Sequence, residues 1–260
     1  KVGVAPDTVL GAGLRLSREM IDGGRVGRIV TGTATIFSHG MEHWHPDPEF
    51  FFKQGAGPVF DMGPYYIAAL VQLLGPVKRL AALTTIGAET RIVTAKSPKR
   101  GTAIRVETPS TALAILRMEN GAVISFGASW DVWRHSHPPI ELHGTEGSIR
   151  VPDPNFFGGA VEISERGKRW RKTGCGGLAF GSPNWPTAKP KHANYRGAGV
   201  ADLASSILHG TPHRTSAEAG RHAVDVMNAI LESGRTGQFI DLPVATRPIA
   251  LGDDEARRLT

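Results

Sequence analysis

The chain carries one cysteine, Cys175, among 260 residues. That excludes an intrachain disulfide framework, and a lone thiol fits a reducing compartment, so a cytoplasmic location is expected. No apolar run approaches the roughly 20 residues needed to cross a bilayer, and no charged-then-apolar leader opens the chain, so no membrane partner is expected. Gly-x-Ser-x-Gly is absent, which argues against a serine hydrolase. A dinucleotide fingerprint is absent too. Gly11-Ala12-Gly13 would need its third glycine at position 16, where Leu16 stands, and no strand bearing a ribose-binding acid follows at the expected distance. There is no internal repeat and no low-complexity tract.

What remains is enough for a globular protein, since 40% hydrophobic content over this length can bury a sizeable core. The formal charge of +6 makes anionic partners worth testing, yet the basic residues are scattered. Their densest run, Arg166-Gly167-Lys168-Arg169-Trp170-Arg171-Lys172, holds one aromatic and no nucleic-acid motif around it. It reads as a solvated hairpin or loop, and no nucleic-acid partner is expected.

The most structured signal is Gly55-Ala56-Gly57-Pro58-Val59-Phe60-Asp61-Met62-Gly63-Pro64-Tyr65-Tyr66, which runs into apolar residues 67–74 and stops at Gly75-Pro76. A glycine turn, an acid in the first turn and a Gly-Pro stop delimit a helix. Asp61 and Tyr65 are four apart and share a face, where a carboxylate and a phenol can act as a proton-transfer pair. On spacing alone the plainer reading leads: Asp61 complements the helix dipole and Tyr65 is an amphipathic core residue.

Before this helix, residues 1–25 read as a strand at 2–5 and a helix ended by Gly23-Gly24, and residues 28–37 as a strand. After it, strand patterns recur at 77–86, 103–118, 122–130, 140–143, 148–151 and 161–164, with hairpin turns at Glu119-Asn120-Gly121 and Gly144-Thr145-Glu146-Gly147. Residues 173–195 read as an irregular loop. Two helices follow, at 199–209 with Val200, Leu203, Ile207 and Leu208 on one face, and at 216–233. A short strand at 239–242 and a loose tail from Arg247 close the chain. The class is α+β: an open, mainly antiparallel β-sheet with helices on one face.

Two loops gather functional residue types. His39, Glu42, His43 and His45 crowd one loop, but no second cluster and no helical His-x-x-x-His accompany them, so no metal is expected. Trp44, His45 and residues 50–52 read instead as a wall leading to Asp61. Trp130, Asp131, Trp133, Arg134, His135 and His137 follow a strand, and can either stack on a sugar-like ligand or pack an edge strand.

The pattern Gly55-x-Gly57-Pro58-x-x-Asp61-x-Gly63-x-Tyr65 and its helix to Leu74-Gly75 resembles the C-terminal two-thirds of the glucose-fructose oxidoreductase / inositol dehydrogenase / MocA family. Val26-Gly27, the Gly144–Gly147 turn and Ser216-Ala217-Glu218 support it, and the likeness covers most of residues 2–243. It implies an NAD(P)-dependent oxidoreductase acting on a sugar, polyol or related secondary alcohol or carbonyl, with the open sheet as a homo-oligomer interface. Residues 1–25 would be the remnant of an N-terminal Rossmann domain, 26–245 the substrate and oligomerisation domain, and 246–260 a tail.

Asp61 matches the family Asp, while Tyr65 stands where many members have His. Tyr65 would be the proton donor or acceptor, assisted by Asp61, with His45, Trp44, Arg134, Asp7 and Thr8 as substrate-binding candidates. Two departures follow. The Rossmann fingerprint and the Glu-Lys-Pro lysine are missing, so these residues alone are expected to bind NAD or NADP weakly and to be inactive. A phenol, with an unperturbed pKa of about 10, also needs a cationic neighbour to act as a base near neutrality. The alternative is a non-catalytic protein that uses its sheet for assembly or sugar binding.

Overall fold

The computed structural model describes residues 1–259. A 3-10 turn at Asp7–Leu10 leads into helix α1 (Ala12–Asp22), strand β1 (Ile29–Phe37), a second 3-10 turn at Glu49–Phe52, and helix α2 (Pro58–Leu74). Strands β2 (Val77–Thr85), β3 (Thr90–Ile92), β4 (Ala103–Arg105), β5 (Thr111–Met118), β6 (Val123–Ser129), β7 (Ile140–Gly144), β8 (Gly147–Val151), β9 (Ala160–Glu165) and β10 (Arg171–Gly174) follow. Helices α3 (Ala198–His209) and α4 (Ala217–Thr236), strand β11 (Ile240–Asp241) and helix α5 (Asp253–Arg257) complete the chain.

Among the described residues, nine strands make one sheet in the order β10-β9-β8-β7-β1-β6-β5-β2-β11, with β1 and β6 parallel and every other pair antiparallel. This is the open, mainly antiparallel α+β architecture that the hairpin signals predict. The period-2 pattern decides which face is covered: on β5, Ala112, Ala114, Leu116 and Met118 are buried, while Leu113 and Ile115 between them face solvent. Helices α1, α2 and α4 lie over the buried side. The basic run is a hairpin, turning at Arg166-Gly167 and pairing Arg171 with Ile163.

Helix α2 is the centre of the covered face. Gly57 precedes it at φ +91°, a conformation glycine adopts freely, and Pro58 opens the first turn, where no N–H is needed. From Tyr66 to Leu74 almost every residue but Ala68 is buried, as befits a helix enclosed by the sheet, α1 and α4. Val9, Leu10, Leu14 and Met20 join the same core, so residues 1–25 pack continuously with the sheet.

Several local expectations fail for identifiable reasons. Residues 2–5 form only a bridge, Gly3 to Ser216. The strand expected over 103–118 is broken at Pro109, which has no N–H to give a ladder. Its first piece, β4, pairs instead with β3, and Ile104 there joins a second small core of Phe52, Val93, Val106 and Trp130. On α3 the apolar residues Val200, Ile207 and Leu208 are exposed, and Asp202 and Ser206 turn inward. An ion pair from Asp202 to Arg214 fixes that orientation. The tail is docked rather than loose. Arg247 donates to the carbonyls of Gln72 and Leu73, Asp253 pairs with Arg15, and Leu251 and Ala256 enter the core.

Candidate active site

Asp61 and Tyr65 stand one turn apart at the entrance of α2. Asp61 is half-buried, and its carboxylate has no hydrogen-bond partner among the described residues. Burial raises its pKa above the ordinary carboxylate value. The folded state therefore holds the Asp61 proton more tightly than the unfolded chain, so ionised Asp61 costs stability as pH rises past the unfolded value, and the cost is full above the folded one. Asp61→Asn is expected to raise the melting temperature at pH 7 and to leave it nearly unchanged at pH 3. Calorimetric scans at both pH values check this.

The Tyr65 hydroxyl is met by a cation. Arg196 Nη1 approaches its oxygen at 3.5 Å, and the guanidinium carbon lies 5.5 Å from the ring centroid, within cation–π range. Arg196 is itself anchored: Nη2 donates to the Asn155 carbonyl at 3.1 Å and to Asn155 Oδ1 at 3.3 Å, and Nε donates to Asn194 Oδ1 at 3.2 Å.

The neighbouring phenol is wired to the same turn. Tyr66 Oη donates to Asp153 Oδ1 at 3.4 Å, which also accepts the Asn155 N–H at 2.9 Å. Burial pushes both the Tyr66 hydroxyl and the Asp153 carboxyl upward, and for Tyr66 the charge of Asp153 adds to it. Residues 153–155 thus link the two tyrosines. Beside Tyr66 and Asp153 opens a cavity of about 410 Å³, lined also by Met62, His43, Trp44 and His137; Asp61, Tyr65 and Arg196 are not part of its lining. That volume suits a small polar ligand.

The sequence-derived candidates separate here. Trp44 lines the cavity. His45 does not: its Nδ1 accepts the Asp47 N–H and its ring packs on Phe50 and Phe51. Arg134 is exposed and outside this cavity. Asp7 caps α3, accepting from the Gly197 and Gly199 N–H groups at 2.9 and 3.2 Å, and Thr8 is buried. Neither lines the cavity, because the 3-10 turn carries Asp7 to the start of α3 and Thr8 into the interior. Among the described residues no group of three or more His, Cys, Asp or Glu is placed to hold a metal.

The glycines of Gly11-Ala12-Gly13 serve packing. A Cβ on Gly11 would lie 2.4 Å from the Phe157 carbonyl oxygen, and one on Gly13 would lie 2.6 Å from that of Gly158. The Gly13 N–H already donates to Phe157, so this turn does not fit a dinucleotide pyrophosphate.

The family comparison covers Asp61 and Tyr65 and stops short of Asp153, Asn155 and Arg196. A family model described as the GFO/IDH/MocA C-terminal domain matches residues 14–150. No curated protein matches the sequence. Among solved structures, a levoglucosan dehydrogenase in complex with NADH and levoglucosan is similar over 89% of this chain and 63% of its own, at 21% identity and a TM-score of 0.67. An NAD binding oxidoreductase from Klebsiella pneumoniae is similar over 91% of this chain and 65% of its own, at 18% identity and a TM-score of 0.70. For an aldose-aldose oxidoreductase from Caulobacter crescentus complexed with glycerol, the figures are 93%, 64%, 16% and 0.67. At these identities the likeness is one of fold, and this chain spans less than two thirds of the length of each of them.

Proposed function

The chain belongs to the GFO/IDH/MocA family, and on that premise we propose that it is the substrate-binding part of an NAD(P)-dependent oxidoreductase that interconverts a secondary alcohol of a sugar or polyol with its carbonyl. The observation that carries the reading is the Arg196 guanidinium 3.5 Å from the Tyr65 oxygen. Arg196 holds the phenol oxygen in position with a donor and a positive charge beside it, and it stands where the sequence offered no such group. Tyr65 Oη takes the hydroxyl proton in oxidation and returns it in reduction. Asp61, unpaired and half-buried beside it, accepts a hydrogen bond from the substrate or orients it. Tyr66, Asp153 and Trp44 hold the remainder of the ligand, the indole against its C–H face.

The nicotinamide cofactor accepts or supplies hydride in this chemistry, and the Gly11–Gly13 turn does not fit its pyrophosphate. Dinucleotide binding is therefore assigned to a part of the protein outside these 260 residues, and these residues alone should be inactive. The test is nicotinamide-dependent turnover of a polyol and aldose panel by the longer protein, beside the present chain. Turnover by the present chain alone would refute the division of labour, and no turnover by the longer protein would refute the activity.

The uncovered sheet face supports self-association. Leu83 pairs with Leu113 across β2 and β5, and Ile115 lies two residues along; all three are at least half exposed. An apolar stripe of this kind on a sheet face is covered most simply by a second copy. Leu113→Asp with Ile115→Asp is expected to convert the oligomer to monomer with unchanged circular dichroism. Sedimentation showing the same mass for variant and wild type would count against this interface.

A further inference from the structure

A larger cavity, about 710 Å³, lies across His43 from the first, and His43 lines both. Its floor is a buried ion network. Arg91 Nη1 donates to Glu42 Oε1 at 2.7 Å, while Nη2 donates to the Trp130 carbonyl at 3.1 Å and pairs with Asp131. Asp131 Oδ2 accepts from Ser110 and Thr111 at 2.7 and 2.6 Å. Above it stands Trp133, 82% exposed, with His39 stacked against its ring system at 3.3 Å between centroids. A large aromatic held in place yet left in solvent is an unused stacking surface.

The polar atoms around this floor have spare hydrogen-bonding capacity. Of five buried side-chain nitrogen and oxygen atoms without a partner among the described residues, three belong to this network: His39 Nδ1, Glu42 Oε2 and Arg91 Nε. These atoms are closed off from solvent, so the polar groups that a ligand can reach are those lining the cavity, Thr90, His43 and Asp131 among them. The charge chooses the ligand. Two carboxylates against one guanidinium leave the floor net negative, which disfavours anions. Burial lowers the His39 pKa, which favours its neutral form. A neutral ring with one C–H face and several hydroxyls matches an indole beside Thr90, His43 and Asp131.

We infer that this cavity is a second glycosyl subsite, which takes the non-reacting pyranose of a glycoside whose reacting unit occupies the cavity beside Tyr66. The inference rests on the sugar reading above and narrows it to glycosides. The test is calorimetric titration of the chain with glucose and with cellobiose, maltose and gentiobiose. At least one disaccharide should bind about tenfold tighter than glucose, and Trp133→Ala should remove that gain while leaving glucose binding unchanged. Thr90→Val, a smaller change, should reduce the gain in part. If glucose binds and no disaccharide gains, or if Trp133→Ala keeps the gain, the subsite is refuted and the sugar reading stands. If neither sugar class binds, the sugar reading falls with it. Saturable binding of tetramethylammonium that Trp133→Ala abolishes, with no disaccharide gain, would reassign the cavity to cations.

Discussion

Tyr65→Phe is expected to lower kcat for alcohol oxidation in the nicotinamide-bearing protein by about 10²- to 10⁴-fold, the range for loss of a positioned acid–base group. The change removes one oxygen and keeps the ring, which packs against the core, so folding should be unaffected. KM should move little, since the phenol exchanges a proton in the transition state more than it holds the ground-state ligand. Arg196 supplies the second arm. Arg196→Met removes the charge beside the phenol and should cost about tenfold or more in kcat at neutral pH. Arg196→Lys, which keeps a cation but loses the fork to Asn155, should recover part of it. A Tyr65→Phe protein with full kcat across the pH range would remove Tyr65 from the chemistry. Full activity in Arg196→Met would leave Tyr65 in place and remove its cation.

What the sequence could show of this site was local. The turn, stop and spacing of α2 lie within 22 residues of chain, and so does the family pattern that marks Asp61 and Tyr65. The cation is not local. Arg196 lies 131 residues from Tyr65, just past a stretch that reads as irregular loop, and nothing in either segment ties one to the other. Asp153 and Asn155 were hidden in the same way, in the turn between β8 and β9. The sheet was legible because hairpin turns and alternation are short-range signals, and β5 states its two faces outright. Helix α3 misled for a matching reason. Its apolar residues do recur at helical spacing, but periodicity cannot reveal that a buried carboxylate on the opposite side has found a guanidinium 12 residues on.

That carboxylate carries a large expected stability effect. Asp202 is almost fully buried and accepts twice from Arg214, from its backbone N–H at 2.8 Å and from Nη1 at 2.6 Å; Arg214 also pairs with Glu255 of α5. Asp202→Ala leaves a buried guanidinium short of a partner and a buried N–H with none, a loss of about 3–5 kcal/mol. For a chain of this size that lowers the melting temperature on the order of 10 °C. Asp202→Leu combined with Arg214→Met should recover much of the loss, because no charge is then left buried without its counterpart; the Arg214 backbone N–H stays unpaired, and Glu255 turns to solvent. The pair also bears on the proposed chemistry. With its apolar side uncovered, α3 is held by Asp202 at mid-helix and by the Asp7 carboxylate at its first turn, and Arg196 sits one residue before that turn. Asp202→Ala assayed well below its melting point should therefore lose activity in the same direction as Arg196→Met, though less. An unchanged melting temperature would show that the pair contributes no net stability. A large drop with undiminished kcat would show that Arg196 is positioned by Asn155 and Asn194 without help from α3.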